Sequence, residues 1–348
     1  MLRSLRIRNF RAFSTLEIDP LSRINLLIGQ NNAGKTSLLE ALFLLSAAGN
    51  PQIALNQNVI RMVDNVAPGM VSETFWKAMF NGFDTSREVE ISSDHEPLGL
   101  LVLKFALEQP GILNLPAEDT VRLTMPELQN TSELGFSYRA GAQSPVRGRI
   151  RATGDGFHIE QPASPTPFKA IILTSRVGNS NEDAQRLGEL RRKKQGHLLA
   201  EALRIVEPRL ISVEDNSAAG IPMIWGDVGL GELIPLNVMG EGMTRVARLI
   251  LAISAAPDGV VLVDEIENGL HHSVLAKVWQ AVSTAAAEFN TQIIASTHSF
   301  ECLEAAHNAL EGDHFRIHRL EITEREIGLV SYDRTELEAA VSFGLEVR

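Results

Sequence analysis

Gly29-Gln30-Asn31-Asn32-Ala33-Gly34-Lys35-Thr36 satisfies the pattern G-x-x-x-x-G-K-[ST]. Before it runs Ile24 to Ile28, apolar except at Asn25, which predicts a strand covered on both faces. After it, Leu38, Leu39, Leu42, Phe43 and Leu45 recur at helical spacing within Ser37 to Ala47. Strand, glycine loop and helix in that order let backbone N–H groups curl around phosphates at the positive end of a helix. The expected nucleotide contacts are Gly29, Asn31, Asn32, Ala33, Gly34, Lys35, Thr36 and Ser37. Lys35 would reach the β- and γ-phosphates of the nucleotide, and the Thr36 hydroxyl would ligate Mg²⁺.

Farther along, Gly259 to Glu265 reads GVVLVDE, an apolar strand ending in two acids. A carboxylate at the end of such a strand can hold the magnesium ion, which is the role expected of Asp264. The adjacent Glu265 is placed to polarise an attacking water. A third buried strand, Gln292 to Ala295, runs into Ser296-Thr297-His298-Ser299. Ligands bind at strand ends in open parallel sheets, so His298 is expected at the γ-phosphate.

Composition frames these motifs. With 348 residues, 44% of them hydrophobic and 22% charged, the chain can bury a sizeable core, which excludes disorder and fibrous repeats. No apolar run reaches membrane-spanning length, and the opening MLRSLRIRNF alternates as a strand does instead of presenting a leader block. The single cysteine, Cys302, excludes an internal disulfide and fits a reducing cytoplasm. A net charge of -11 argues against a surface coated for nucleic acid, though not against a local basic stripe. Two such stripes occur, Arg191 to Lys194 on a charged helical region and Arg139, Arg147, Arg149 and Arg151 on hairpins.

Alternation of strands and helices gives the fold class α/β, with a mainly parallel core sheet and an antiparallel β-rich lobe in which segments such as VRLTM (121–125) pair as hairpins. Pro162, Pro165 and Pro167 mark the expected internal boundary, separating a lobe of residues 1–160 from one of 168–348. A helix is expected around Val71 to Phe80, one charged helical region over Asn181 to Val206, and a last helix in the tail.

GQNNAGKT, VLVDE, ENGLHHSVL and STHS, together with the opening RIRNFRAFSTLEID, resemble the ABC-type ATPases of the RecF, SMC and OLD group. The resemblance implies a P-loop ATPase head that closes as a homodimer over two ATP molecules, each head offering a glycine signature loop to the other. The matching position is Val238-Met239-Gly240-Glu241-Gly242-Met243, where Gly240 replaces the usual serine and Gly242 keeps a backbone donor. The resemblance further implies that Arg11 contacts nucleotide phosphate and that Asn268-Gly269-Leu270-His271 crosses to the partner head. Gln52 and Gln57 are both candidates for the glutamine loop. Neither a C-terminal Toprim nuclease nor a coiled coil is legible, so the chain resembles a bare head, similar to standalone OLD-like ATPases. That resemblance implies control of a separately encoded nuclease or toxin in phage defence, with RecF-like DNA repair or a nucleotide-gated scaffold as the alternatives.

Overall fold

The structure, a computed structural model, describes residues 1–47, 50–62, 76–95, 98–108, 131–153, 156–160, 168–174, 180–218, 220–310, 312–323, 326–333 and 335–336. In chain order the elements are β1 (Leu5–Phe10), β2 (Phe13–Ile18), β3 (Ile24–Gly29), α1 (Lys35–Ser46), α2 (Pro51–Met62), β4 (Val89–Ser92), β5 (Leu100–Glu108) and β6 (Thr131–Arg139). Then follow β7 (Val146–Thr153), β8 (Gly156–Glu160), β9 (Ala170–Leu173), α3 (Ser180–Arg192), α4 (Gly196–Leu203), β10 (Ser212–Ala218), β11 (Ile221–Asp227) and β12 (Ile234–Pro235). The last are α5 (Glu241–Ala255), β13 (Val260–Val263), α6 (His272–Glu288), β14 (Gln292–Ser296), α7 (Phe300–Ala309), β15 (Phe315–Ile322) and β16 (Ile327–Tyr332).

The chain forms two compact units. The first comprises Met1–Leu5, Leu16–Leu39 and Phe168–Arg348, and the second Arg6–Thr15 and Glu40–Pro167. This corrects the expected division into 1–160 and 168–348. The reason is hydrogen bonding: β3 lies between β14 and β15, with Ile24 level with Ile293 on one side and Phe315 on the other. The phosphate-loop strand is thereby built into the C-terminal unit. The boundary prolines lie at 161–167, outside the described residues, as do the first half of the expected Val71–Phe80 helix, the VRLTM strand and nearly all of the tail helix.

In the first unit a six-stranded sheet runs β16-β15-β3-β14-β13-β9. Its pairings are parallel except for β15 with β16, which are antiparallel. All of Ile24–Gly29, Val260–Val263 and Gln292–Ser296 is buried, as near-continuous apolar strands with helices on both faces require. Leu26, Ile28, Val261, Val263 and Ile293 join Leu249, Ile253 and Trp279 of α5 and α6 in one core cluster. Two helix starts are fixed by side chains: the His271 ring accepts from Ser273 N at the start of α6, and Ser299 Oγ accepts from Cys302 N at the start of α7. A small antiparallel sheet, β10-β11-β12, completes the unit.

One expectation here divides in two. The charged region over 181–206 is not one helix but α3 and α4, separated at Lys193–Gln195, where Lys194 adopts a φ of 61°. Gly196 starts the second helix, and a Cβ there would meet Arg191 Cγ at 2.9 Å.

The second unit is the expected antiparallel lobe, a seven-stranded sheet in the order β2-β1-β4-β5-β6-β7-β8. Leu101, Leu103 and Phe105 of β5 and Leu134, Phe136 and Tyr138 of β6 are buried on one face. Lys104, Glu133, Arg149 and Glu160 share the exposed face. No helix among the described residues is long and apolar enough to cross a membrane.

Candidate functional site

Gly29 ends β3 at a φ of 137°, and a Cβ added there would lie 2.4 Å from Leu320 O, so only glycine fits where the chain leaves the sheet. Asn32 and Gly34 also have positive φ, of 65° and 93°, which turns the loop back on itself before α1 begins at Lys35. Asn31 and Asn32 are exposed, while Ala33 and Ser37 are buried against the unit. The Lys35 side chain folds into this loop: Nζ donates to Gly29 O at 2.6 Å and Gln30 O at 2.9 Å. Burial lowers the ammonium to a pKa of about 8 against the pull of Asp264, Glu267 and Glu265.

β14 separates β3 from β13, so Asp264 stands one strand beyond the neighbour of the phosphate loop. It nonetheless meets that loop's helix. Thr36 Oγ1 donates to Asp264 Oδ2 at 3.1 Å, and Ser296 Oγ, from the intervening strand, donates to Asp264 Oδ1 at 2.6 Å. The same Ser296 oxygen accepts from Glu265 N at 2.9 Å. Glu265 has a φ of 49°, a conformation a non-glycine residue holds only where its surroundings fix it. Part of that fixing comes from Arg245 on α5, whose Nη2 donates to Asp264 O at 2.8 Å and to Glu265 O at 2.7 Å. Arg245 is buried, and desolvation lowers its guanidinium pKa.

His298 places Nε2 4.0 Å from Glu265 Oε1, with both side chains more than a third exposed. Three segments far apart in sequence thus present an ammonium, two hydroxyls, two carboxylates and an imidazole at the C-terminal ends of the parallel strands β3, β13 and β14. Of the expected residues, Lys35, Thr36, Asp264, Glu265 and His298 come together here.

Thr36, Asp264 and Ser296 offer hard oxygen donors, which suit Mg²⁺. Among the described residues no group of three or more His, Cys, Asp or Glu could hold a metal. A Mg²⁺ site with one carboxylate, one hydroxyl and phosphate oxygens needs no such group, so the residues present fit that ion.

Gly240 and Gly242 lie at the start of α5, Gly240 with a φ of 123° and no side-chain cap on the helix. They pack against the turn after the two acids: a Cβ on Gly242 would lie 3.3 Å from Gly269 O, and one on Gly269 would lie 2.7 Å from Glu241 Cγ. Arg11 belongs to the second unit. Its Nε is 2.9 Å from Glu40 Oε2, both side chains are almost fully buried, and Asn81 donates to its backbone oxygen. Gln52 is exposed on α2 and donates to Asn56; the side chain of Gln57 is outside the described residues.

Three members of the two basic stripes form close ion pairs. Arg149 pairs with Glu160 at 2.6 Å and Arg151 with Glu133 at 2.8 Å beside a cavity of about 1160 Å³ on the exposed face of the second unit's sheet. Arg191 pairs with Asp215.

Ser296, Arg245 and Glu267 belong to the cluster without having been expected there. Ser296 opens the quoted STHS stretch. Arg245 is one of two arginines, with Arg248, in the apolar α5 pattern, and of the two it is the buried one.

The family described as "AAA domain, putative AbiEii toxin, Type IV TA system" matches residues 140–304, and the AAA ATPase domain family matches residues 1–91. A Helicobacter pylori protein named ATP/GTP phosphatase is 25% identical over 342 residues, covering 87% of each chain. The DNA replication and repair protein RecF of Oenococcus oeni is 49% identical over 47 residues, 14% of this chain and 13% of that one. An SMC head bound to the C-winged helix domain of ScpA aligns over 97% of this chain and 99% of that one, at 13% identity and a TM-score of 0.49. The AAA ATPase domain match takes in the phosphate loop and the other AAA match takes in the paired acids and His298, so the chain is similar to AAA-type ATPases across the segments that form the site.

Proposed function

We propose that the protein is a Mg²⁺-dependent ATPase that dimerises on ATP and uses the cycle of closing and opening to control a partner. The observation that carries this is the contact of Thr36 with Asp264, completed by Ser296 and flanked by Lys35 and Glu265. The Lys35 ammonium counters the growing charge on the γ-phosphate, and the Glu265 carboxylate takes a proton from the attacking water. Mg²⁺, when bound by Thr36 and Asp264, neutralises phosphate charge. His298 stands beside Glu265 to hold the γ-phosphate end.

The signature-like loop at Gly240–Gly242 and the Asn268–His271 turn lie together at the start of α5, which supports a surface that a second head can complete. Val238, just before the loop, is 71% exposed, as an interface residue is before its partner arrives. A separately encoded nuclease or toxin in phage defence as the partner follows from the OLD-like resemblance, and the toxin–antitoxin wording in the name of the matched family is compatible with that setting without naming a partner. Glu265→Gln should abolish turnover while accumulating an ATP-bound dimer in light scattering. Turnover unaffected by that change would refute the proposed chemistry.

A second reading, DNA repair, is favoured by the short RecF matches. It predicts a hydrolysis rate that rises on adding DNA, whereas control of a protein partner predicts a rate indifferent to it. A nucleotide-gated scaffold, favoured by Glu241 in the signature-like loop, predicts almost no turnover even before any substitution.

A further inference from the structure

Glu267 lies two residues beyond Glu265, and no motif assigns it a role. Its backbone oxygen accepts from Leu270 N at 2.9 Å and so closes the turn that contains Asn268 and Gly269. Its side chain points the other way: Oε1 accepts from the backbone N–H of His298 at 2.9 Å, across 31 residues of sequence. One residue therefore ties two loops that leave different strands, β13 and β14.

We propose that Glu267 is a positioning residue for ATP hydrolysis, a latch that holds the loop carrying His298 against the turn carrying Asn268 and Gly269. This rests on the reading above, in which Glu265 and His298 act on ATP. β14 ends at Ser296, so the amide of His298 has no neighbouring strand to bond to, and the Glu267 carboxylate supplies its acceptor. A hydrogen bond to a carboxylate is stronger than one between neutral groups. The His298 ring is partly exposed and stands 4.0 Å from Glu265, so its backbone anchor sets that distance.

The surroundings fit a carboxylate at this position. Oε2 of Glu267 is buried and has no hydrogen-bond partner among the described residues, an arrangement that is costly unless nearby charge compensates it. Lys35 and Arg245 supply that charge, since Glu267 acts electrostatically on both. The phosphate-loop lysine and the arginine that clamps the paired acids are both buried, and both feel the charge of the latch. Because the Asn268–Gly269 turn also touches the signature-like loop through Glu241, the latch offers a route by which a second head moves His298.

Two variants test this in the full chain. Glu267→Ala removes the acceptor, and Glu267→Gln keeps an amide oxygen able to receive the His298 N–H. In Glu267→Ala, amide hydrogen exchange over residues 296–300 should quicken by about 10-fold or more. The same variant should lose about 10- to 100-fold in kcat, while the ATP dissociation constant stays within about threefold of wild type. Glu267→Gln should restore most of both. Unchanged exchange in Glu267→Ala overturns the proposal, as does a Gln variant as impaired as the Ala variant. Wild-type protein without turnover would instead refute the reading of function, and the exchange comparison would then decide the latch by itself.

Discussion

Thr36 and Asp264, 228 residues apart, meet with Oγ1 and Oδ2 3.1 Å from each other. The contact joins the first turn of α1 to the end of β13 across the intervening β14, and Ser296 of that strand completes it with a 2.6 Å bond to the same carboxylate. A hydroxyl and a carboxylate so placed are the ligands that the protein would contribute to a Mg²⁺ shell, the larger share coming from phosphate and water.

Asp264→Asn should therefore weaken magnesium more than it weakens folding, because the amide oxygen can still accept from Ser296. Half-saturating Mg²⁺ for turnover should rise by about 10-fold and the maximal rate fall by about 100-fold, with the thermal midpoint nearly unchanged. A magnesium titration superposing on that of wild type contradicts the assignment.

Lys35 gives a pH signature. Burial lowers its pKa to about 8, and a bound triphosphate raises it again. At pH 7 the ammonium is charged before and after binding. At pH 9 it is mostly neutral in the free site and charged in the complex, so binding should take up close to one proton. Calorimetry at pH 9 in buffers of different ionisation enthalpy measures this uptake, which should disappear in Lys35→Arg.

Arg245 holds the backbone oxygens of Asp264 and Glu265 with one nitrogen and reaches Thr174 O with the other, at 3.4 Å. Lysine cannot reproduce a planar fork. Arg245→Lys should cost about 2 kcal/mol of stability and reduce kcat more than ATP affinity, since the loosened element carries Glu265. Equal losses in the two would show that Arg245 supports the fold alone.

A separate pH effect comes from His318 on β15. Its ring is buried between Asn25 Oδ1, 3.2 Å from Nε2, and Ser331 Oγ, 2.8 Å from Nδ1. Burial, aided by Arg316, lowers its pKa from 6.5 to about 4. The unfolded chain takes up the proton first, so this contribution to stability is complete above pH 6.5 and is lost as pH falls toward 4. Between pH 7.5 and 5 the loss should be about 2 kcal/mol. His318→Gln should flatten the slope when urea midpoints are compared at those two values.

How much of this was legible in the sequence depends on the range of the forces involved. The phosphate loop was legible because its requirements are local: Gly29 and Gly34 need positive φ, and β3 needs apolar residues on both faces. β13 and β14 were legible for the same reason. Ser296, Arg245 and Glu267 were not, since a polar residue announces that it bonds something but not what, and each finds its partners on another element. The unit boundary was illegible because β3 takes both its neighbours from the last third of the chain, and no composition shift records such pairing. The α3–α4 break was hidden within a charge pattern that suits one helix as well as two.

The central claim is that residues 29–37, 264–265 and 296–298 grip one triphosphate together with magnesium. Isothermal titration of ATP into the protein, with and without Mg²⁺, measures it most directly. The account predicts one ATP per chain, tighter with Mg²⁺, and loss of that magnesium dependence in a Thr36→Ala, Asp264→Asn double variant. No heat from wild-type protein with ATP and Mg²⁺, or a magnesium dependence that survives both substitutions, would contradict it.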